Sequence, residues 1–122
     1  MSSTIHLIVG SATLILFLLN AIMYGIEMAK GKVIGYHRLV SIAAATGLLI
    51  QYALGFMLLG AGESIPVWHW LIALVAILPV GMEHGGAARE ENFRKKSMLG
   101  LIAASIAFIV VLAAYGIGEM GA

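Results

Sequence analysis

The amino-acid sequence predicts an all-α protein, an up-down bundle of four membrane-spanning helices with both termini outside. Three observations predict it. The 122-residue chain is 61% hydrophobic and only 11% charged, against roughly 25% charged residues in a soluble domain. Its apolar residues fall into four blocks, about residues 5–28, 37–60, 67–83 and 97–117. Roughly 20 apolar residues cross a hydrocarbon core of about 30 Å as a helix. All seven Lys and Arg lie in two short segments, Lys30, Lys32 and Arg38 in one and Arg89, Arg94, Lys95 and Lys96 in the other.

Each block follows from elementary constraints. Lipid offers backbone N–H and C=O groups no partner, so each block must satisfy its own as a helix. The blocks show no period-two alternation, which excludes a β-barrel. The first block lacks the basic flank of a signal peptide and is too long for its apolar region, so it is expected to be a retained span. The second opens at His37. The third follows Pro66, a residue suited to a helix start. Pro79 inside it is expected to kink the helix or free a carbonyl. The fourth follows the run Glu90 to Lys96, which reads as a solvated loop. Short connections make neighbours antiparallel, so residues 1–122 form one domain. Both basic segments fall on one side, which the positive-inside rule makes cytoplasmic. Trp68 and Trp70 fall at the opposite interface, where an aromatic belt is expected. Small residues on the second and fourth blocks, among them Gly47, Gly55, Gly100, Ala104 and Ala107, permit close packing. The fourth block carries little polarity and is expected to be scaffold, or an interface to a second copy or a larger respiratory complex.

The composition also bounds function. The chain has no cysteine, which excludes disulfides, thiolate ligands and iron–sulfur clusters. The basic residues are explained by topology, so the expected partner is the lipid bilayer and not nucleic acid. No phosphate loop, catalytic triad or zinc-protease motif is present. An enzymatic role, if any, would be that of an oxidoreductase passing electrons through a bound cofactor.

The four histidines sit at block ends, two on each side. His69 and His84 are 15 residues apart, a net rotation of about 60°, so they share one broad face. His6 and Asn20 are 14 apart, as are His37 and Gln51, each pair within roughly 40° of one face. Antiparallel packing then stacks two layers. The outer holds His6, His69 and Gln51, and the inner holds His37, His84 and Asn20. Two imidazoles on facing helices suit the axial positions of a haem iron. Gly10, one turn from His6, and Gly81, near His84, leave room for a flat macrocycle. Arg38 beside His37, and Lys95 or Lys96, suit propionates at the inner edge. The outer edge has no cation and would rely on Trp68, Trp70, Ser64 or water. The metal ligands expected are therefore His6 with His69 and His37 with His84, for one or two haem b groups. Glu27, near the end of the first block, is expected to reach toward the interface.

The layout resembles small four-helix, histidine-bearing membrane cytochromes of b type. It is also similar to four-helix membrane proteins of terminal-oxidase maturation in bacteria. The residues that carry the resemblance are Tyr36 to Leu39 after a short Lys-Gly loop, His69 at the start of the third block, and His84 before a basic segment. The maturation family has a further histidine in that basic segment, and Asn92 to Lys96 contains none. The two-haem ascorbate-reducible cytochromes spread their ligands over four helices, whereas three carry them here. The resemblance implies a carrier of electrons within or across a prokaryotic inner membrane, with quinone or a redox protein as partner. The alternatives are a non-redox accessory or assembly protein that delivers haem or metal, and a small transporter built around Glu27.

Overall fold

The structure, a computed structural model, describes residues 3–120. Helix α1 spans Ser3–Lys30, α2 His37–Gly60, α3 Val67–Val75, α4 Ile77–Gly85 and α5 Phe93–Met120, with a single 3-10 turn at Ala87–Arg89. Among the described residues there is no strand. Four helical stretches are long and apolar enough to cross a membrane, and the third of these combines α3, α4 and the 3-10 turn.

Local chemistry accounts for the boundaries. The α1 helix ends before Gly31, whose φ of +72° lies in the left-handed region that glycine adopts without strain. Its N–H closes the helix on Glu27 O at 2.8 Å. The third span breaks at Ala76. Pro79 has no N–H for the Val75 carbonyl, and its ring crowds that same carbonyl. The last helix starts four residues before the apolar block, at Phe93. Asn92 is the reason: its Oδ1 accepts the Lys95 N–H at 3.0 Å, an N-terminal cap that draws Arg94, Lys95 and Lys96 into the first turn.

The bundle is apolar outside and polar inside. Ile8, Ile15, Leu49 and Ile109 lie exposed on its surface, and of the four largest fully buried side chains, Phe17, Asn20, Thr13 and Ser97, only one is apolar. A soluble protein has the reverse arrangement. The inward faces follow a seven-residue repeat. On α1 it runs His6, Gly10, Thr13, Phe17, Asn20, Tyr24, Glu27; on α2, His37, Ser41, Ala44, Leu48, Gln51, Gly55, Leu58; along the third span, His69, Ala73, Ala76, Val80, Glu83, Ala87. This alternation of four and three keeps one seam facing its neighbours in a bundle crossing at about 20°.

The backbones of α1 and α2, of α1 and α5, and of α5 with α3 and α4 approach closely, while α2 stands further from the third span. The fourth span supplies the close approach through Ala103, Ala104 and Ala107, all nearly inaccessible. The Thr13 side chain fills the space that a Cβ on Gly47 would need, and the Tyr24 ring fills it at Gly100. At mid-bundle, Phe17, Ala44, Leu48, Ala76, Val80 and Ala107 form the apolar core.

A Gly100→Ala substitution is expected to destabilise the protein by about 1–3 kcal/mol through overpacking against Tyr24. Gly81→Ala, where nothing lies within 4 Å, is the control. Reversible unfolding in mixed micelles measures both, and equal stability of the two variants would refute the close α1–α5 packing.

Candidate functional site

The outer layer is built by four helices. His6 on α1 and His69 on α3 bring their ring centroids to 6.1 Å, with ring planes at 82°. The His69 Nδ1 lies 2.6 Å from Ala114 O on α5. A carbonyl only accepts, so Nδ1 carries the hydrogen, and in the neutral ring Nε2 keeps the lone pair. Gly118 makes this possible. A Cβ there would lie 2.8 Å from His69 Nδ1 and 3.0 Å from Cε1. Gly55 similarly faces His6 Cε1, at 3.7 Å from its would-be Cβ. The Gln51 amide lies over Gly10, its Nε2 at 2.7 Å from the corresponding position. Both His6 Nδ1 and Gln51 Oε1 are buried, and neither finds a hydrogen-bond partner among the described residues. Beside them is a cavity of about 430 Å³ whose walls include His6, Gly10, Gln51, Tyr52, His69 and Trp70. That volume is within the usual range of small-molecule sites.

The inner layer is a continuous hydrogen-bonded network. Glu83 on α4 is its centre and is 2% exposed. Its carboxylate accepts from Tyr24 OH at 2.6 Å, from Ser41 Oγ at 2.6 Å, and from Asn20 Nδ2 at 3.0 and 3.1 Å. With its NH₂ committed to Glu83, Asn20 turns Oδ1 toward His37, whose Nε2 lies 2.7 Å away. The other His37 nitrogen, Nδ1, lies 2.8 Å from Glu27 Oε1. Nε2 therefore donates to Asn20 Oδ1, and Nδ1 pairs with Glu27. Glu27 is fixed further by the Ile34 N–H at 2.8 Å. The Tyr24 and His37 rings meet edge to face at 4.2 Å. At the far end, His84 Nε2 lies 3.4 Å from Ser41 Oγ and 3.7 Å from Glu83 Oε1. Ser41 gives its one hydrogen to Glu83, so its oxygen accepts from His84.

Several expected positions come out differently. His37 is not paired with His84. Both of its nitrogens are taken, by Glu27 and Asn20, because these two acceptors share the α1 face that His37 packs against. Glu27 does not reach for the interface: it is 4% exposed, since its place in the seven-residue repeat turns it inward. Gly81 is exposed with nothing within 4 Å of its would-be Cβ, and Arg38 lies exposed at the start of α2. Asn20, Gln51 and Gly10 do lie in the layers expected for them. The residues that spacing alone overlooks are Glu83 and Ser41. One signal for Glu83 is in the sequence: it follows His69 by 14 residues, the interval that links His6 to Asn20 and His37 to Gln51.

Compared with known protein families, curated proteins and solved structures, the chain matches none.

Replacing Asn20 by Leu leaves both Glu83 and His37 short of a partner in a nonpolar setting. At about 1–3 kcal/mol for each unsatisfied group, the loss is expected to be about 3 kcal/mol. Unfolding in micelles would show it, and a loss below about 1 kcal/mol would mean the network does not hold the inner half together.

Proposed function

We propose that this chain is an electron-carrying membrane protein of the b-cytochrome kind, with one haem held between His6 and His69. The observation that carries the reading is the pinned imidazole of His69 set edge-on to a second imidazole, with a roomy cavity beside the pair. His6 and His69, with ring centres 6.1 Å apart, would hold the haem iron. A ligating histidine almost always donates its other ring N–H to a carbonyl or carboxylate, and Ala114 O provides the carbonyl for His69. The His6 Nδ1 is buried and finds no partner among the described residues. No group of three His, Asp or Glu side chains converges to hold a metal among the described residues. An iron needing only two protein ligands suits this donor set better than a bare ion.

The inner layer does not fit a second haem. Iron on His37 would break either its bond to Glu27 or its bond to Asn20. The network is better read as the element that fixes α1, α2 and α4 together. Haem, when bound, supplies one-electron transfer. The chain would supply two ligands, a cavity with largely apolar walls, and the Gln51 amide beside them. A quinone or a redox protein is the partner class this implies. Transport through the bundle is not favoured, because the apolar core around Phe17, Leu48 and Val80 separates the two polar layers. The basic end faces the cytoplasm of a prokaryotic inner membrane in this reading, with both termini and the His6–His69 layer outside.

Two measurements test it. Purified protein expressed with ample haem is expected to show a sharp reduced α band, lost in His6→Ala and His69→Ala but retained in His84→Ala. No α band in the unaltered protein, or loss only in His84→Ala, would overturn the assignment. Reporter fusions at each terminus are expected to be active only for outward location. A cytoplasmic signal at either end would reverse the topology.

A further inference from the structure

Helix α2 is tied to the broken third span by one hydroxyl on each side of the break. On the α4 side Ser41 Oγ donates to Glu83 Oε2 at 2.6 Å. On the α3 side Tyr52 OH donates to Ala73 O at 2.5 Å, with Leu74 O at 3.4 Å. Elsewhere the backbones of α2 and the third span stand apart. The break explains why Tyr52 finds an acceptor there. In an unbroken helix Ala73 O would receive a regular bond four residues on. At the break it is approached instead by the Ala76 N–H at 3.2 Å, a tighter 3-10 closure that leaves room for a second donor. A carbonyl short of donors in lipid is costly, so the Tyr52 hydroxyl stabilises the interruption at Ala76.

Tyr52, Ala73 and Leu74 all line the outer cavity. So does Phe56, one turn after Tyr52, although 57% of its surface is exposed. The cavity therefore reaches the bundle surface at an apolar residue on α2, on the side where α2 is held to α3 by the Tyr52 bond.

We infer that the α2–α3 seam is a lateral gate into the outer cavity from the bilayer, with Tyr52 as its latch and Ala76 as its hinge. With Tyr52 released from Ala73 O and Leu74 O, α3 keeps its hold on α5 through His69 and Ala114 O and can part from α2 by pivoting about Ala76, while Glu83 keeps α4 anchored. The route suits a flat, largely apolar ligand already dissolved in the membrane. The identity of that ligand rests on the haem reading above; the gate itself does not.

The test needs no ligand. The chain has no cysteine, so spin-label pairs can be introduced freely. One pair, Met57→Cys with Leu71→Cys, reports the outer seam, and a second, Ile42→Cys with Leu78→Cys, reports the inner half. Distances are measured by pulsed electron resonance in phospholipid vesicles. Tyr52→Phe is expected to lengthen and broaden the outer distribution and leave the inner one unchanged. Pro79→Ala, which restores the missing N–H, is expected to narrow the outer distribution, and it decides the matter should Tyr52→Phe fail to fold. An outer distribution indifferent to both substitutions, or both pairs broadening together, would overturn the gate. Neither result depends on whether the protein shows an α band.

Discussion

The structure depends on one constraint: the solvent of this protein cannot hydrogen-bond. Every polar side chain within the membrane must find its partner inside the bundle, and the seven-residue inward face is where those partners meet. Glu83 shows the consequence most directly. A carboxylate with no ion pair to Lys or Arg among the described residues is tolerated because four donor contacts from two helices, α1 and α2, converge on it. Removing a buried charge's partners is far more damaging than never having buried it. The network therefore specifies how α1, α2 and α4 must meet more than it adds to their stability.

The outer layer obeys the same constraint incompletely. His69 is satisfied by Ala114 O, yet His6 Nδ1 and Gln51 Oε1 find no partner among the described residues. Two polar layers in one bundle thus have opposite characters, one closed on itself and one holding unused valences beside a cavity. The proposed binding role of the outer layer rests on this difference.

Much of the architecture is legible in the sequence, because block length and charge position report directly on the bilayer. The bounds of α2 coincide with its apolar block, and the interruption at Ala76 follows from Pro79. The early start of α5 is not legible from hydropathy, since a capping Asn92 can recruit basic residues into a helix that apolar counting excludes. The site is legible only in its outer half. Fourteen-residue intervals place His6, Asn20, His37 and Gln51 in their layers, and helical rotation brings His69 to His6. For Glu27 and Glu83, nearness to a helix end argues for the interface, while the angular position that turns them inward depends on which seam the neighbours choose. His37 is the instructive case. Its layer follows from spacing, but its partners follow from two side chains on α1 that only packing can rank against His84.

The repeat shared by three spans also makes the length of each span rigidly determined. One residue added between Thr13 and Asn20 would turn the remainder of α1 by about 100°, carrying Asn20, Tyr24 and Glu27 toward the acyl chains. The connection from Ala61 to Pro66 bears no such phase and can lengthen freely. Tolerance to insertion in this chain is thus governed by angular registry between helices and not by hydrophobicity, which an added leucine would leave intact.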